Sequence, residues 1–482
     1  MTIDRRSFVH AMSLAGFAGL ARPDVSAGSE PADATVPAVT RVLADYVVGS
    51  HYAQHPEAVR KEARRTLLNW IGCAIGGSRQ ETVDIAVTAL APFSGPAQAS
   101  LLGRRERLDI LHATLINGIS SHVLDFDDTH LKTVIHPAGP VASAILALAE
   151  YRQPPVSGQA FIDALIVGVE VECRIGNAVY PAHYDRGWHI TGTPGVFGAA
   201  AACGKLLGLS APQMVWALGL AATQPVGLRE MFGSMTKSFH PGRAAQNGLT
   251  AALLAARNFT SADTGIEGKS GWANVLSTTR DYGQITDQLG ARYELSLNTY
   301  KPFACGIVMH PTIDACLQLR QAHALQADQI ERIDLRVHPL VLELTGKKTP
   351  QTGLEAKFSI YFAAAIAIIA GAAGVHEFSD ANARNPALVA LRDRVQATVD
   401  PAIKEDQVRV AMTLKDGRRL ETFVEHAVGS LERPMSDADL EAKVTSLADG
   451  VLPAAAIRHV IDLCWTADTL PNAAVIATAA RA

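Results

Sequence analysis

The sequence has no marked excess of charge of either sign. Its 482 residues contain 43 lysines and arginines against 47 aspartates and glutamates, giving a formal net charge of −4 at pH 7. A strongly basic face is typical of proteins that bind nucleic acid or anionic membranes. The charge balance therefore predicts neither a nucleic-acid partner nor a stable membrane association.

Cysteine is also scarce, and aromatic residues make up only 6% of the chain. The six cysteines are Cys73, Cys173, Cys203, Cys305, Cys316 and Cys464. Because no two of them form a CxxC pair, their spacing matches neither a disulfide framework nor a zinc site. We expect them to be buried as small apolar side chains.

Several motifs that identify common enzyme classes are missing. The chain contains no GxxxxGK[ST] phosphate loop, no dinucleotide fingerprint in a βαβ unit, no GxSxG elbow and no HExxH helix. These absences argue against the nucleotide-binding, serine-hydrolase and zinc-protease chemistries that depend on those motifs.

The first 30 residues differ from the rest of the chain. Arg5 and Arg6 precede Phe8 and a short apolar run, and small residues follow at 25–27. A charged start, an apolar core and a small-residue end are the parts of a secretory signal. The paired arginines are typical of twin-arginine export. We therefore expect residues 1–30 to be a twin-arginine signal peptide and the protein to be periplasmic; the alternative is a cytoplasmic protein with a disordered extension.

Replacement of both Arg5 and Arg6 by lysine tests this expectation. If the segment directs twin-arginine export, the precursor should stay uncleaved in the cytoplasm. Cell fractionation and immunoblotting would measure the outcome. An unchanged distribution between fractions would contradict export.

Chain length and hydrophobic periodicity predict more than one domain, since single domains typically contain roughly 50–250 residues. Residues 38–295 read as a helical domain, 296–434 as an α+β segment, and 435–482 as a helical tail that returns to the first domain. Within the α+β segment, 330–337 alternates as a strand, and 408–414 with 422–425 predicts a hairpin around Asp416-Gly417. The predicted helices are 39–48, 55–73, 82–90, 107–123, 141–151, 159–178, 195–207, 211–223, 244–257, 311–324 and 355–369.

A dense polar cluster follows the predicted helix at 107–123. It consists of Asp125, Asp127, Asp128, Thr129, His130 and His136. The dipole of a helix disfavours carboxylates at its C-terminal end, so helix capping does not explain this cluster. Like charges held together in this way indicate a functional site.

Cationic residues recur in three later segments. His189 precedes the helix at 195–207, and Lys237, His240 and Arg243 precede the helix at 244–257. Lys301 and His310 open the α+β segment. Such groups beside helix starts favour binding of a carboxylate or phosphate.

Two chemistries fit these residues. A metal site would draw on Asp125, Asp127, Asp128, His130 and His136. However, no helical histidine pair fixes a coordination geometry. The preferred alternative is metal-free acid–base chemistry, in which histidines and an aspartate move protons while Lys237 and Lys301 neutralise substrate carboxylates.

Four ordered segments resemble the MmgE/PrpD family: HVLDFDDTH…HP, GWHITGTPGVFGAAAACGKLLGL, SMTKSFHPGRAAQNG and KPFACGIVMHPTIDA. That family includes 2-methylcitrate dehydratases, cis-aconitate decarboxylases and an iminodisuccinate epimerase. The resemblance spans roughly residues 38–470. It implies a mainly α homodimer with a large all-helical domain, a smaller α+β lid domain, an active site between them, and no metal or organic cofactor.

The resemblance also carries site roles across, motif by motif. The catalytic candidates are Asp125, His189, His136 and Thr129. Lys237 and Lys301 are the substrate-binding candidates that match the motifs, and the residues themselves add His310 and Arg243. Among them, we expect Asp125 and His189 to transfer protons, with Thr129 and His136 positioning them.

Two departures from the decarboxylase pattern favour a dehydratase or an epimerase. The interval from Thr129 to His136 is one residue longer, and Gly306 stands where the decarboxylases have a histidine. The sequence therefore predicts a cofactor-free, dehydratase-like lyase that removes a proton next to a carboxylate of a small di- or tricarboxylate. A non-catalytic carboxylate-binding protein of the cell envelope is the alternative from another class.

Overall fold

Helices dominate residues 37–482, the part of the chain that the computed structural model describes. The predicted signal peptide at 1–30 lies outside these residues. The helices are α1 (Val39–Gly49), α2 (Glu57–Gly77), α3 (Glu81–Leu90), α4 (Ile110–His122), α5 (Ala138–Tyr151), α6 (Gly158–Val179), α7 (Ala182–Asp185), α8 (Gly195–Leu207), α9 (Ala211–Ala222), α10 (Thr236–Ala255), α11 (Trp272–Leu276), α12 (Gly283–Thr286), α13 (His310–His323), α14 (Pro339–Thr345), α15 (Gly353–Ala356), α16 (Ile360–Ala370), α17 (Asp380–Ala383), α18 (Pro386–Arg392), α19 (Asp437–Ala448), α20 (Ala454–Trp465) and α21 (Val475–Ala479). The strands are β1 (Ala99–Ser100), β2 (Arg107–Leu108), β3 (Thr129–His130), β4 (Asn298–Thr299), β5 (Ile330–Val337), β6 (Val395–Val399), β7 (Val408–Leu414) and β8 (Arg419–Val424).

The helical part is built around the crossing of α4 and α10. A Cβ atom at Gly118 of α4 would lie 2.4 Å from Cα of Gly242, and a Cβ atom at Gly242 would lie 2.4 Å from the main-chain oxygen of Leu115. The two backbones therefore touch, and no larger residue fits at either position. This contact brings the C-terminal end of α4 close to the first turns of α10.

The main sheet lies in the C-terminal half and has the strand order β6-β5-β7-β8. Strands β5 and β6 are parallel, with Ile333 opposite Val395, whereas β5–β7 and β7–β8 are antiparallel. Helices α13 and α16 pack against this sheet. The predicted strand at 330–337 and the predicted hairpin are confirmed, as is the mainly helical fold with a smaller part that contains a sheet.

A short antiparallel ladder, β3–β4, joins the two parts of the molecule. Thr129 pairs with Thr299 and His130 pairs with Asn298. Strand β3 directly follows Asp125, Asp127 and Asp128, and strand β4 directly precedes Lys301. The ladder therefore places the segment with the three aspartates beside the segment with Lys301.

The C-terminal helices α19 and α20 pack against α2, near the start of the chain. Ser436 caps α19 by accepting a hydrogen bond from the Asp439 N–H at 3.1 Å. The Lys443 ammonium, on α19, donates to the main-chain oxygens of Phe126 (2.6 Å) and Lys301 (2.9 Å). This buried lysine therefore ties the acidic segment to the Lys301 segment.

Two predicted helices differ from the structure. The helix predicted at 244–257 begins at Thr236, because Pro241, which lacks an N–H, is accommodated within α10. The helix predicted at 355–369 is two helices, α15 and α16, since Ser359 caps a new start by accepting from the Phe362 N–H at 3.2 Å.

The six cysteines are all buried and unpaired, as the sequence predicts. Within residues 37–482, no helix has both the length and the apolar composition needed to cross a membrane.

Candidate active site

Asp125 lies between two lysine side chains directly after α4. Its Oδ1 is 3.0 Å from Nζ of Lys237 and 2.6 Å from Nζ of Lys301. Burial alone would raise the pKa of the Asp125 carboxyl, but the two ammonium groups outweigh burial and hold it well below its ordinary value. The backbone of Asp125 is left-handed (φ 51°), a conformation that aspartate tolerates better than most residues. The site thus contains a buried, ionised carboxylate that two cations share.

Three imidazole rings meet beside this ion pair. The ring centroids of His122 and His136 are 4.8 Å apart, and those of His122 and His189 are 5.8 Å apart. Burial lowers the pKa of all three imidazoles, and the positive charge of Lys237 lowers it further. The three rings are therefore neutral near pH 7, and neutral imidazoles can accept protons.

His136 is held from one side by the backbone of the acidic segment. Its Nδ1 lies 2.7 Å from the main-chain oxygen of Asp128 and 3.3 Å from the Thr129 hydroxyl. Because a carbonyl oxygen only accepts, Nδ1 carries the proton and Nε2 keeps its lone pair. Thr129 therefore contributes to the orientation of His136. The role that the sequence predicts for Thr129, positioning of Asp125 and His189, stays a prediction.

The other two rings are anchored by side chains. Nδ1 of His122 lies 2.7 Å from Oδ2 of Asp127, and Nδ1 of His189 lies 2.9 Å from Nδ1 of His240. Burial raises the pKa of Asp127, but the His122 and His136 rings more than offset burial, and the net shift is downward. His122 is accordingly paired with an ionised carboxylate.

These groups surround a narrow cleft with a cavity volume of about 40 Å³, between the helical part and the part that contains the main sheet. Apolar walls come from Tyr184, Phe232, Ile307, Leu344 and Phe358. Nζ of Lys237 lies 5.2 Å and 5.4 Å from the ring centroids of Phe232 and Phe358. A smaller cavity adjoins the cleft, and its lining includes His122, Lys357, Asp125 and Lys237. The polar groups of the cleft converge on one side, an arrangement typical of sites that orient a small ligand.

Five of the eight predicted site residues line this cleft: Asp125, His136, His189, Lys237 and Lys301. Thr129 lies behind His136. His310 lines a neighbouring, larger cleft instead, where its ring packs edge-on against Phe303 with the centroids 5.2 Å apart.

Arg243 does not line the cleft. The sequence predicts that it binds substrate, but the structure exposes it on α10, where its guanidinium donates to Gln246 at 2.5 Å. Six residues along a helix place Arg243 about 120° around the axis from Lys237. Lys237 itself lies in the first turn of α10 rather than in a loop, and it is buried.

The sequence assigns no role to His122 or Lys357, and it names His240 only as one of the cationic residues near the predicted helix at 244–257. The Lys357 ammonium donates to the main-chain oxygens of Leu124 (2.6 Å) and Ala304 (2.7 Å), and burial lowers its pKa to about 8. The sequence signals for His122 are its place as the first residue of the HVLDFDDTH motif and its position five residues before Asp127, at the end of the predicted helix.

The structure does not support the alternative metal site built from Asp125, Asp127, Asp128, His130 and His136. Asp125 is bound to lysines and Asp127 to His122, while His130 is hydrogen-bonded to Thr133 (2.7 Å) and Glu294 (3.1 Å). Burial and the charge of Asp127 raise the pKa of Asp128 to about 7, and its Oδ2 accepts from the Asn298 amide at 2.8 Å. One oxygen of each aspartate has no hydrogen-bond partner, but within residues 37–482 no three of these five residues bring ligand atoms close enough together to hold an ion.

A different set, His122, His136 and His189, could in geometry hold a metal ion, since one nitrogen from each ring lies within 4.8 Å of the others. Lys237 places positive charge beside all three rings, and that charge opposes a cation. We therefore expect the activity of the purified protein to be unchanged after treatment with a chelator. Metal analysis and activity assays before and after EDTA would test this. Loss of activity that one divalent ion restores would contradict it.

The sequence of this chain matches the profiles of one protein family. The profile of the MmgE/PrpD N-terminal domain matches residues 41–285, and that of the MmgE/PrpD C-terminal domain matches residues 303–467. The cis-aconitate decarboxylase of Homo sapiens is 27% identical over 462 residues, which cover 91% of this chain and 94% of that protein. The cis-aconitate decarboxylase of Aspergillus terreus is 26% identical over 445 residues, covering 86% and 90%. The 2-methylcitrate dehydratase of Cupriavidus necator is 23% identical over 433 residues, covering 81% and 85%.

Both family profiles match in chain order and together span most of the described residues. The resemblance inferred from the four sequence motifs is thereby confirmed: the chain belongs to the MmgE/PrpD family.

Proposed function

We propose that this protein is a lyase that acts on a small di- or tricarboxylate by removing a proton from a carbon next to a carboxylate. The proposal rests on the net positive charge of the side chains that line the site. Lys237, Lys301 and Lys357 line the cleft and its adjoining cavity, against Asp125 as the one ionised carboxylate in the lining. The ionised Asp127 behind His122 offsets only part of the remaining positive charge. Buried charge without a counter-charge is unfavourable, so the cleft favours a ligand that carries carboxylates.

The same cations suit the chemistry. Removal of a proton next to a carboxylate creates an enediolate-like charge, and ammonium groups fixed in a buried cleft stabilise such a charge as it develops. Asp125 is a poor base, since two lysines stabilise its ionised form. We therefore assign proton transfer to the neutral imidazoles, including His136 and His189, and assign Asp125 to holding the two lysines in place.

Dehydration is the reaction we propose first. Gly306 lines the cleft, and a Cβ atom there would lie 3.3 Å from Cγ2 of Thr345, a tight contact that would require Thr345 to shift. The histidine that the sequence motif leads us to expect in a decarboxylase is therefore both absent and hard to accommodate at this position. The relatives named above include a 2-methylcitrate dehydratase. Decarboxylation is the second candidate, because the identity of 27% to a cis-aconitate decarboxylase spans nearly the whole chain. Epimerisation uses the same proton removal.

Turnover on a panel of carboxylates would separate these reactions. Citrate, 2-methylcitrate, malate, cis-aconitate and iminodisuccinate would be incubated with purified protein and followed by proton NMR and by CO2 release. A new carbon–carbon double bond without CO2 supports dehydration, CO2 release indicates decarboxylation, and inversion with solvent-proton exchange indicates epimerisation. Binding of citrate without turnover of any compound would contradict the proposal and favour a carboxylate-binding protein.

A further inference from the structure

His122 is a buried histidine at the end of α4 with one ring nitrogen unaccounted for. It is 2% exposed, and Nδ1 is bonded to Asp127, but Nε2 has no hydrogen-bond partner within residues 37–482. Buried polar atoms in folded proteins nearly always have a partner. An orphaned nitrogen of this kind therefore points to a group that arrives with a ligand.

The surroundings of His122 place it next to the substrate cleft. The ring lines the smaller cavity, which shares Asp125, Lys237 and Phe358 with the cleft. The Asp125–Lys237 ion pair thus lies at the boundary of the two spaces. A substrate carboxylate that binds Lys237 would bring its neighbouring carbon towards both His122 and His136.

Among the three clustered imidazoles, His122 has the strongest reason to act as a base. Its Nδ1 is hydrogen-bonded to the Asp127 carboxylate at 2.7 Å. Nδ1 of His136 is instead bonded to a main-chain oxygen at 2.7 Å and lies 3.8 Å from the other oxygen of Asp127, and Nδ1 of His189 faces another imidazole at 2.9 Å. A carboxylate on Nδ1 fixes the proton there, leaves the lone pair on Nε2, and stabilises the imidazolium that forms when Nε2 takes a proton.

We propose that His122 is the catalytic base of the proposed lyase reaction and that Asp127 is its positioning residue. Nε2 of His122 takes the proton from the carbon next to the substrate carboxylate, and the C–H electron pair moves into that carboxylate as an enediolate. In a dehydration this pair then forms the carbon–carbon double bond as the C–O bond breaks. The departing hydroxide takes the proton from the imidazolium and leaves as water, so His122 returns to its starting state. This assignment rests on the proposed function.

The test compares four variants with the wild-type protein on the substrate identified by the panel. His122→Gln and Asp127→Asn should lower kcat by about 10²–10⁴-fold. The dissociation constant for citrate, which reports the lysines, should change less than threefold. His122→Ala should regain part of its activity when imidazole is added, an effect that a purely structural histidine would not show. Exchange of the substrate C–H proton with D2O should fall in parallel with kcat.

His55→Gln is the matched control, since His55 and Asp163 form a second buried histidine–aspartate pair at 2.7 Å with the other ring nitrogen bonded to the Tyr293 hydroxyl at 3.1 Å. This variant should be less stable but keep its kcat. If the wild type is active and a folded His122→Gln keeps kcat within threefold, the assignment of His122 is wrong. If the His122 variants do not fold, Asp127→Asn takes their place as the test. An unchanged kcat in a folded Asp127→Asn variant would overturn the roles assigned to both His122 and Asp127. If the wild type turns over no compound, the proposed function fails, and this assignment fails with it.

Discussion

Replacement of Lys237 by methionine is expected to lower kcat/KM by about ten- to 150-fold. This range corresponds to the loss of one charge-assisted hydrogen bond of roughly 1.5–3 kcal/mol between the ammonium and a substrate carboxylate. The effect should appear in KM if the contact is equal in the ground and transition states, and in kcat if it tightens as the enediolate charge grows. Steady-state kinetics on the identified substrate would measure both.

The fold of the Lys237 variant should survive, because Lys301 stays 2.6 Å from Asp125 and continues to neutralise it. Lys415→Met is a suitable control, since Lys415 is exposed at the hairpin between β7 and β8. A folded Lys237→Met protein with near-normal kcat/KM would remove Lys237 from the substrate site. A variant that does not fold would instead show that the lysine serves mainly to pair Asp125.

The Asp125→Asn variant is expected to lose about 3–5 kcal/mol of unfolding free energy, the typical effect of removing one partner from a buried ion pair. Asparagine keeps the side-chain volume and tolerates the left-handed backbone at this position, so the change isolates the charge. Lys237 and Lys301 would be left buried without the carboxylate that both contact. Urea unfolding followed by circular dichroism would measure the loss.

The difference in unfolding free energy between the wild type and Asp125→Asn should depend on pH, because the pKa of Asp125 is lowered in the folded protein. Its ionised form stabilises the fold, so the stability advantage of the wild type should be complete above the ordinary aspartate pKa of 3.8 and should be lost progressively as the pH falls below it towards the folded-state pKa. Asp416→Asn is the control, because Asp416 is exposed and bonded to Arg418. Equal stability of Asp125→Asn and the wild type at neutral pH would mean that the ion pair contributes nothing.

The sequence predicts correctly those helices and strands whose local residue pattern favours the same structure as their tertiary packing. The alternation of 330–337 and the turn residues Asp416-Gly417 specify a strand and a hairpin, and both occur in the structure. The start of α10 was missed because Pro241 usually ends a helix, whereas here the surrounding contacts with α4 and α8 hold the segment helical. Periodicity does not report such tertiary contacts.

The sequence predicts those site residues whose motif already implies a role. It misses residues whose role depends only on tertiary contacts. Asp125, Lys237 and Lys301 could be named from the sequence, and the structure places them in direct contact. His122 opens the first family motif but has no role assigned there, because a histidine inside a predicted helix is most often a residue of the core. Its pairing with Asp127 depends on the turn after α4, whose geometry the sequence pattern does not specify.

The two-residue ladder β3–β4 has a consequence for the order in which the molecule folds. It joins Thr129 to Thr299 across 170 positions of the chain, and closing a loop of that length opposes folding by about 4.5 kcal/mol of chain entropy. Such a contact is expected to form late, after local helices have assembled. Until it forms, Asp125 lacks Lys301 and the site lacks one of its cations. Refolding chains should therefore recover their helical circular dichroism before their activity, and a nascent protein should stay inactive until its sheet-containing part has docked.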